Sequence, residues 1–286
     1  MLHKRTMLIA VASGKGGTGK TIFSTALALS VPACVYADLD VEEPNGAVFL
    51  KPEIEREMPF HLPVPRIDNG VCTFCQKCAD ACVYNAIAII PPVPKAVIFD
   101  ELCHACGVCG YVCPVEGALK EIGREIGRIR SGHGGQVIFV EGRLHIGIPS
   151  AVPLIAQVVE ESLKLAPLVI ADSSPGTSCN MVESVKRSDY IILVTEPTPF
   201  GLHDLELAVT VARDLGKPCG IVINKSSDQD NLIERYARQA NLPVLLKIPY
   251  RLDIQQAYSE GIPLIEVMPE LKGRLGQLYR QIGKGI

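Results

Sequence analysis

Residues 14–21 read GKGGTGKT and lie between an apolar run at 7–13 (MLIAVAS) and a run of small apolar residues at 21–30 (TIFSTALALS). The eight letters fit the pattern G-x-x-x-x-G-K-[ST], in which the backbone N–H groups of a glycine-rich loop surround a phosphate. In that pattern Lys20 reaches the β- and γ-phosphates, and the hydroxyl of Thr21 is a ligand of Mg²⁺. The predicted phosphate-binding residues are Gly14, Lys15, Gly16, Gly17, Thr18, Gly19, Lys20 and Thr21.

Short apolar runs alternate with helix-like patterns over most of the chain. Continuous apolar runs are typical of parallel strands that helices cover on both faces. The sequence therefore predicts an α/β fold with a mostly parallel sheet. The predicted strands are 7–13, 33–37, 136–140, 168–171, 190–194, 220–223 and 244–248, and the clearest helices are 21–30, 202–215 and 232–239.

The middle of the chain has a different composition. Prolines at 52, 59, 63 and 65 lead into it, and proline at this density interrupts helices and central strands. Residues 72–87 and 103–119 repeat one another, which indicates a small module with pseudo-two-fold symmetry. The predicted organisation is a nucleotide-binding domain in two pieces, 1–62 and 121–286, with a small domain inserted at 63–120.

The chain has 11 cysteines, and eight of them form two runs of the spacing C-x₂-C-x₂-C-x₃-C. This spacing is the two-cluster bacterial ferredoxin pattern, in which the fourth cysteine of each run ligates the other cluster. Structural zinc is the alternative for sulfur-only ligands. One [4Fe–4S] cluster is predicted on Cys72, Cys75, Cys78 and Cys113, and the other on Cys103, Cys106, Cys109 and Cys82.

The phosphate loop contains an additional lysine, Lys15. Residues 15–21, KGGTGKT, therefore resemble the deviant Walker A motif of the MinD/ParA and nitrogenase-iron-protein-like ATPases. The resemblance implies a P-loop ATPase that forms an ATP-dependent sandwich dimer. It also implies that Lys15 reaches the nucleotide of the partner, where a cation stabilises transition-state charge. With the cysteine runs, the chain resembles members of this superfamily that contain an inserted ferredoxin domain.

Two further segments resemble switch regions of the same family. Asp38-Leu39-Asp40 resembles switch I, and Asp172-Ser173-Ser174-Pro175-Gly176-Thr177 resembles the Walker B aspartate followed by switch II. The resemblance implies that Asp40 orients the attacking water and, with Thr21 and Asp172, belongs to the Mg²⁺ site. It also implies a γ-phosphate contact for Gly176 and a base contact for Asn224, with Lys225 stacked nearby.

Three residues depart from these patterns or lie outside them. Ser174 stands where the family more often has a second proline, so we expect a less rigid switch II. Val83 replaces the usual proline after the fourth cysteine of the first run. Cys179 is expected to be a packed thiol, with a bridging cluster as the alternative, and two other cysteines are expected to be buried small hydrophobes: Cys34 and Cys219.

Composition limits the possible partners. The formal net charge is −3 and aromatic residues make up 5% of the chain, so no basic or stacking surface for nucleic acid is expected. No apolar run reaches the roughly 20 residues of a membrane span, and no signal-peptide pattern precedes the glycine loop. A cytoplasmic location is predicted. The amphipathic stretch at 268–282 is expected to pack on the sheet.

These observations predict an iron–sulfur ATPase that couples the binding and hydrolysis of Mg-ATP to electron transfer or redox sensing through two [4Fe–4S] clusters. The alternatives are a maturation factor that delivers metal cofactors to a client, and a nucleotide-switched positioning or regulatory module. The expected partners are a second copy or a paralogue in an ATP-dependent dimer, and a redox partner or client protein.

Overall fold

The computed structural model of the protein describes residues 6–90 and 93–285. Residues 1–5, which begin the run considered above for a signal peptide, lie outside the described part. A 3₁₀ turn covers Asp100–Leu102. The strands are β1 Met7–Ala12, β2 Val35–Asp38, β3 Glu53–Ile67, β4 Ile87–Ile90, β5 Lys95–Ile98, β6 Leu119–Gly134, β7 Val137–Leu144, β8 Leu168–Asp172, β9 Tyr190–Thr195, β10 Cys219–Ser226 and β11 Val244–Pro249. The helices are α1 Lys20–Ala28, α2 Gly46–Leu50, α3 Lys77–Asp80, α4 Val108–Val112, α5 Val152–Ser162, α6 Cys179–Val185, α7 Pro199–Asp214, α8 Asn231–Gln239, α9 Leu252–Ser259, α10 Leu264–Val267 and α11 Glu270–Ile282.

The chain divides into two compact units. The first consists of Met1–Glu57, Ile129–Arg143 and Val152–Ile286, and the second of Met58–Arg128 and Leu144–Ala151. The predicted insert, 63–120, lies within the second unit. Both limits of the predicted insert fall inside strands, because β3 and β6 continue through residues 63 and 120.

The main sheet has nine strands in the order β11-β10-β9-β1-β8-β2-β7-β6-β3. Strand β1 lies between β8 and β9 and is parallel to both, and β2 is parallel to β7 and β8. The apolar runs at β1, β8, β9 and β10 are buried almost completely, as expected of parallel strands with two covered faces. The prediction of an α/β fold with a mostly parallel sheet is confirmed.

The proline-rich lead-in is a strand, which the sequence analysis did not predict. Strand β3 contains three prolines, at 59, 63 and 65, and it lies at the edge of the sheet. An edge strand has one row of N–H groups without a partner strand, so a missing donor there leaves the ladder intact. Proline is therefore excluded from central strands but is tolerated in β3, because β3 is an edge strand.

The second unit contains the sequence repeat. Strands β4 and β5 form a two-stranded antiparallel sheet, and the short helices α3 and α4 begin within the two cysteine runs. The repeat is also present in the backbone. Phe74 and Ala105 have φ angles of 52° and 51°, and Gln76 and Gly107, each two residues further on, have φ angles of 68° and 76°. Equivalent loop positions therefore have equivalent left-handed conformations.

The carboxyl-terminal helix α11 packs in the core of the first unit. Leu271, Leu275, Leu278 and Ile282 are buried and belong to the cluster that includes Ile22 and Leu27 of α1. This packing confirms the expectation that the amphipathic stretch at 268–282 lies against the fold. Within residues 6–90 and 93–285, no helix is both long enough and apolar enough to cross a bilayer.

Candidate functional site

The phosphate-binding loop joins β1 to α1, and its conformation requires glycine. Gly17 and Gly19 have φ angles of 76° and 89°, in the left-handed region that side chains disfavour. A Cβ atom on Gly19 would lie 2.2 Å from Nδ2 of Asn224. The loop and the segment after β10 are therefore packed too closely for any other residue at position 19.

Asn224 lies against this loop. Its side chain is 7% exposed, and its Nδ2 donates a hydrogen bond of 2.8 Å to the carbonyl of Thr18. The residue also lines the cavity beside the loop. Asn224 therefore stabilises the conformation of the loop. The contact of Asn224 with a nucleotide base stays a prediction.

Two buried aspartates end adjacent parallel strands. Asp38 of β2 and Asp172 of β8 are partners in the register of the sheet, and each is 1% exposed. The hydroxyl of Tyr36 donates a hydrogen bond of 3.0 Å to Oδ2 of Asp172. In the described part of the chain Oδ1 of Asp172 has no hydrogen-bond partner. A buried carboxylate oxygen with a free lone pair fits the role predicted for Asp172, because Mg²⁺ and its bound waters prefer such oxygens.

Asp38 organises the segment that follows β2. Its carboxylate accepts hydrogen bonds from the backbone N–H groups of Asp40, at 3.2 Å, and Gly46, at 2.8 Å. Burial, and then the neighbouring charge of Asp172, raise the pKa of Asp38 well above its usual value. Asp38 therefore supports the conformation of the segment that resembles switch I.

Asp40 is more accessible and faces the loop. Burial raises its pKa to about 6, against the opposing effect of the nearby ammonium group of Lys20. Asp40 lines a cavity of about 600 Å³ together with Lys20 and Thr21. This volume lies within the range of small-molecule sites. The structure thus brings Asp40 to the same cavity as two consecutive residues of the loop.

One wall of the cavity was missed by the sequence analysis. Tyr250 and Arg251 follow β11, and Ile254 and Tyr258 lie on α9. The available signal was their position just after the carboxyl end of a predicted parallel strand, where open α/β sheets bind ligands. Nothing in their residue types distinguished them from ordinary surface positions.

Lys15 and Lys225 share one acidic partner. Nζ of Lys225 lies 2.6 Å from Glu196, whereas Nζ of Lys15 lies 3.9 Å from the other carboxylate oxygen of the same residue. The side chain of Lys15 is 35% exposed. Because the Lys15 contact is long and partly solvated, it holds the lysine weakly.

Switch II is attached on two sides. The N–H of Gly176 donates a hydrogen bond of 3.1 Å to the carbonyl of Ser13, so in this structure the predicted γ-phosphate donor is bonded to the loop. The hydroxyl of Ser174 donates a hydrogen bond of 2.8 Å to the carbonyl of Leu39. The expectation that serine makes switch II less rigid stays a prediction, although the serine forms a bond to the carbonyl of Leu39 that a proline could not donate.

The eight cysteines of the two runs line two separate cavities of the second unit. Three cysteines of one run and the fourth cysteine of the other lie in each cavity. The first cavity is lined by Cys72, Cys75, Cys78 and Cys113, and the second by Cys82, Cys103, Cys106 and Cys109. Backbone N–H groups point at three of the sulfur atoms: Phe74 donates to Cys72 at 3.3 Å, Ala86 to Cys82 at 3.3 Å and Ala105 to Cys103 at 3.4 Å.

The other cysteines differ in burial. Cys34 and Cys219 are buried as predicted, and burial raises the pKa of Cys34 to about 12. Cys179 is exposed at the start of α6, so the expectation of a packed thiol is wrong there. Over residues 6–90 and 93–285, no three His, Cys, Asp or Glu side chains are close enough together to hold a single metal ion.

Comparison with known families agrees with this architecture. The model of the CobQ/CobB/MinD/ParA nucleotide-binding domain matches residues 9–264, so the chain belongs to this family of P-loop proteins. An uncharacterized protein of Methanocaldococcus jannaschii, MJ0579, is 28% identical over 263 residues, which are 89% of this chain and 90% of that protein. Family membership supports the binding and hydrolysis of ATP.

Solved structures show the same fold. The septum site-determining protein MinD of Pyrococcus horikoshii, complexed with Mg-ADP, is 19% identical, with a TM-score of 0.57 and coverage of 97% of both chains. The cell division ATPase MinD of Pyrococcus furiosus is 18% identical, with a TM-score of 0.60 and coverage of 96% of this chain and 99% of that one.

The raised pKa of Asp40 predicts a pH-dependent stability. Between the usual aspartate value of about 4 and the folded value of about 6, the folded protein holds a proton that the unfolded chain has lost. The stabilisation is therefore present at low pH and is lost as the pH rises through about 6. Urea unfolding midpoints should fall with rising pH more steeply for the wild type than for Asp40→Asn. The control Glu53→Gln, at an exposed carboxylate that is not among the charges shifting the pKa of Asp40, should behave like the wild type, and equal slopes for all three proteins would contradict the assignment.

Proposed function

We propose that the protein is an ATP-driven molecular switch that regulates or positions a partner. The observation that carries this proposal is that Lys20, Thr21 and Asp40 line one cavity at the carboxyl edge of a parallel sheet. The similar solved structures are division ATPases of the MinD type, and this likeness favours a switching or positioning role over the electron-transfer role.

The cavity supplies the groups that ATP hydrolysis requires. Lys20 and the loop N–H groups would hold the β- and γ-phosphates, and Thr21 and Asp40, which line the cavity, would supply oxygens for Mg²⁺ and its waters. Asp172 is buried rather than exposed to the cavity, and its charge acts on Asp40. Asp40 orients a water molecule that attacks the γ-phosphorus as the bond to the bridging oxygen breaks, which leaves ADP and inorganic phosphate. Phosphoryl transfer depends mainly on placement and charge, so Asp40 needs only to orient the water and need not be a strong base.

Lys15 is the group through which a dimer would complete the site. Its contact with Glu196 is long at 3.9 Å, and about a third of the side chain is exposed. A lysine held this weakly can leave its own subunit and approach the nucleotide of a second copy or of a paralogue. Its charge would then stabilise the transferring phosphoryl group, as an arginine finger does.

Mixed dimers test this role of Lys15. Lys15→Ala should lower kcat by at least about 100-fold while ATP still binds, since fingers in trans contribute factors of 10³–10⁵. Asp40→Asn should also be inactive. If Lys15 acts in trans, an equal mixture of the two inactive variants should recover about one quarter of the wild-type rate, because half of randomly paired two-fold dimers contain one complete site.

A mixture that stays inactive would show that Lys15 acts within its own subunit. Loss of ATP binding by Lys15→Ala alone would have the same meaning. The absence of ATP turnover in the wild-type protein, with and without candidate partners, would contradict the proposed switch itself.

A second candidate function adds two [4Fe–4S] clusters to this switch. The observation that favours it is the crossed composition of the two cavities, where Cys113 joins the first run and Cys82 joins the second. The N–H groups aimed at Cys72 and Cys103 are suited to thiolates that carry negative charge. When bound, such clusters supply one-electron redox chemistry, and the chain would then sense redox state or pass electrons under the control of the nucleotide.

The arrangement of the thiols argues against zinc as the occupant. A single zinc ion needs four sulfur atoms at about 2.3 Å from one centre. A cubane instead gives each cysteine its own iron atom, and the duplicated spacing of three close cysteines with a distant fourth is the pattern of such clusters. Closed sites of four cysteines also fit transfer of a cluster to a client poorly, because no ligand position is left open.

Serine variants test the crossed ligation. Anaerobic reconstitution of the wild type should give about eight iron and eight sulfide per chain. Cys113→Ser should perturb the same electron paramagnetic resonance signal as Cys72→Ser, and Cys82→Ser the same signal as Cys103→Ser. Cys179→Ser should leave both signals unchanged. Stoichiometric zinc without sulfide, or a Cys113→Ser effect on the signal of Cys103, would contradict the assignment.

Redox titration tests whether the clusters respond to the nucleotide. If the two functions are coupled, the reduction potential of at least one cluster should differ between the Mg-ADP form and the form with a non-hydrolysed ATP analogue. Lys20→Ala, which removes the phosphate-binding lysine, should abolish this difference. Identical potentials in both forms would leave the nucleotide switch in place and remove the electron-transfer role.

A further inference from the structure

The peptide of Leu39 is held between the two switch regions. Its N–H donates a hydrogen bond of 2.9 Å to the carbonyl of Asp172. Its carbonyl accepts the hydrogen bond of 2.8 Å from the hydroxyl of Ser174. The two bonds connect Leu39, which follows β2, to the last residue of β8 and to the segment after it. Because Leu39 directly precedes Asp40, these two bonds fix the position of the Asp40 backbone.

The hydrogen bond between the Ser174 hydroxyl and the Leu39 carbonyl is buried. Ser174 is 2% exposed and Leu39 is fully buried, so water does not reach the bond freely. Among the described residues, no other donor to the Leu39 carbonyl is present. The proline that the resembled family more often has here would lack a side-chain donor. The bond is therefore a consequence of this chain's own residue at position 174.

The rest of switch II is anchored to the phosphate-binding loop and to the strand before it. Ser173 donates its N–H to the carbonyl of Val11 at 2.9 Å, and Gly176 donates its N–H to the carbonyl of Ser13 at 3.1 Å. Ser174 lies between these two anchors. A movement of Gly176 relative to Ser13 therefore acts on the residue whose side chain is bonded to switch I.

We propose that Ser174 is a positioning residue that couples switch II to switch I. A γ-phosphate that takes over the Gly176 N–H from the Ser13 carbonyl shifts residues 174–176, and the Ser174 hydroxyl passes this shift to the Leu39 peptide and so to Asp40. The proposal rests on the proposed ATPase function. It deepens that function by naming the contact through which a movement of switch II at the γ-phosphate reaches Asp40.

A contact between the segments that follow the two switches provides an independent comparison. Nδ2 of Asn180, on α6, donates a hydrogen bond of 3.0 Å to Oε2 of Glu42. This pair is exposed, and an exposed contact contributes little to stability and restricts the backbone weakly. The buried Ser174 bond should therefore carry most of the coupling.

The test compares buried hydroxyl deletions in the full-length protein. Ser174→Ala should lower kcat by about 5- to 20-fold with KM for ATP changed less than about twofold, as expected when the loss of one hydrogen bond misplaces Asp40 without removing a contact to ATP. Ser174→Thr, which keeps the hydroxyl, should recover much of the loss. The control Ser184→Ala removes a hydroxyl that is equally buried and donates to the Asn180 carbonyl within α6, and it should leave kcat unchanged.

Hydrogen exchange separates coupling from general destabilisation. In the wild type, replacing Mg-ADP by a non-hydrolysed ATP analogue should slow amide exchange in both segments, 38–43 and 172–177. In Ser174→Ala the second segment should still respond while the first responds much less. Asn180→Ala should retain most of the response of both segments.

The outcomes distinguish this inference from the proposed function. Equal kcat values and equal exchange responses in Ser174→Ala and Ser184→Ala would overturn the role of Ser174. The role of Ser174 would also be overturned if both variants lowered the unfolding midpoint equally and showed the same hydrogen-exchange response to the ATP analogue. If the wild type hydrolyses no ATP but both segments respond to the analogue, the ATPase assignment fails while the exchange comparison still decides the coupling.

Discussion

A row of buried carboxylates at the carboxyl edge of the sheet constrains the rest of the structure. Asp172 of β8, Asp38 of β2 and Glu141 of β7 end or nearly end three neighbouring strands, and Asp38 is the register partner of both others. All three are at most 1% exposed. Three negative charges this close in a low-dielectric interior are unstable unless each one is compensated.

Each carboxylate is compensated in a different way. Glu141 contacts two arginines, Arg130 at 3.1 Å and Arg143 at 2.7 Å. Asp38 has a raised pKa and accepts backbone hydrogen bonds that shape switch I. Asp172 accepts one bond from Tyr36 and keeps one buried oxygen without a partner in the described residues, which suits an additional positive charge at the nucleotide site. The same electrostatic requirement thus builds the switches and prepares the metal position.

The second unit follows a different principle. Its two cysteine runs repeat in sequence, and the same left-handed backbone conformations occur at Phe74 and Ala105. The short loops turn N–H groups toward sulfur atoms, and the fourth cysteine of each run lies with the other run. Local sequence spacing accounts for three thiols of each cavity, whereas the pseudo-symmetric pairing of the repeats supplies the fourth.

The sequence by itself determined the glycine loop, the parallel strands and the composition of the cysteine runs, because short-range spacing and apolar periodicity encode these features directly. Only the tertiary structure decided three others. Prolines occur in β3 because that strand lies at the edge of the sheet. Tyr250 and Arg251 join the cavity because β11 ends beside the loop. Ser174 becomes a link between the switches because β2 and β8 are neighbours, and a hydrogen bond across 135 residues depends on strand order, which no local pattern encodes.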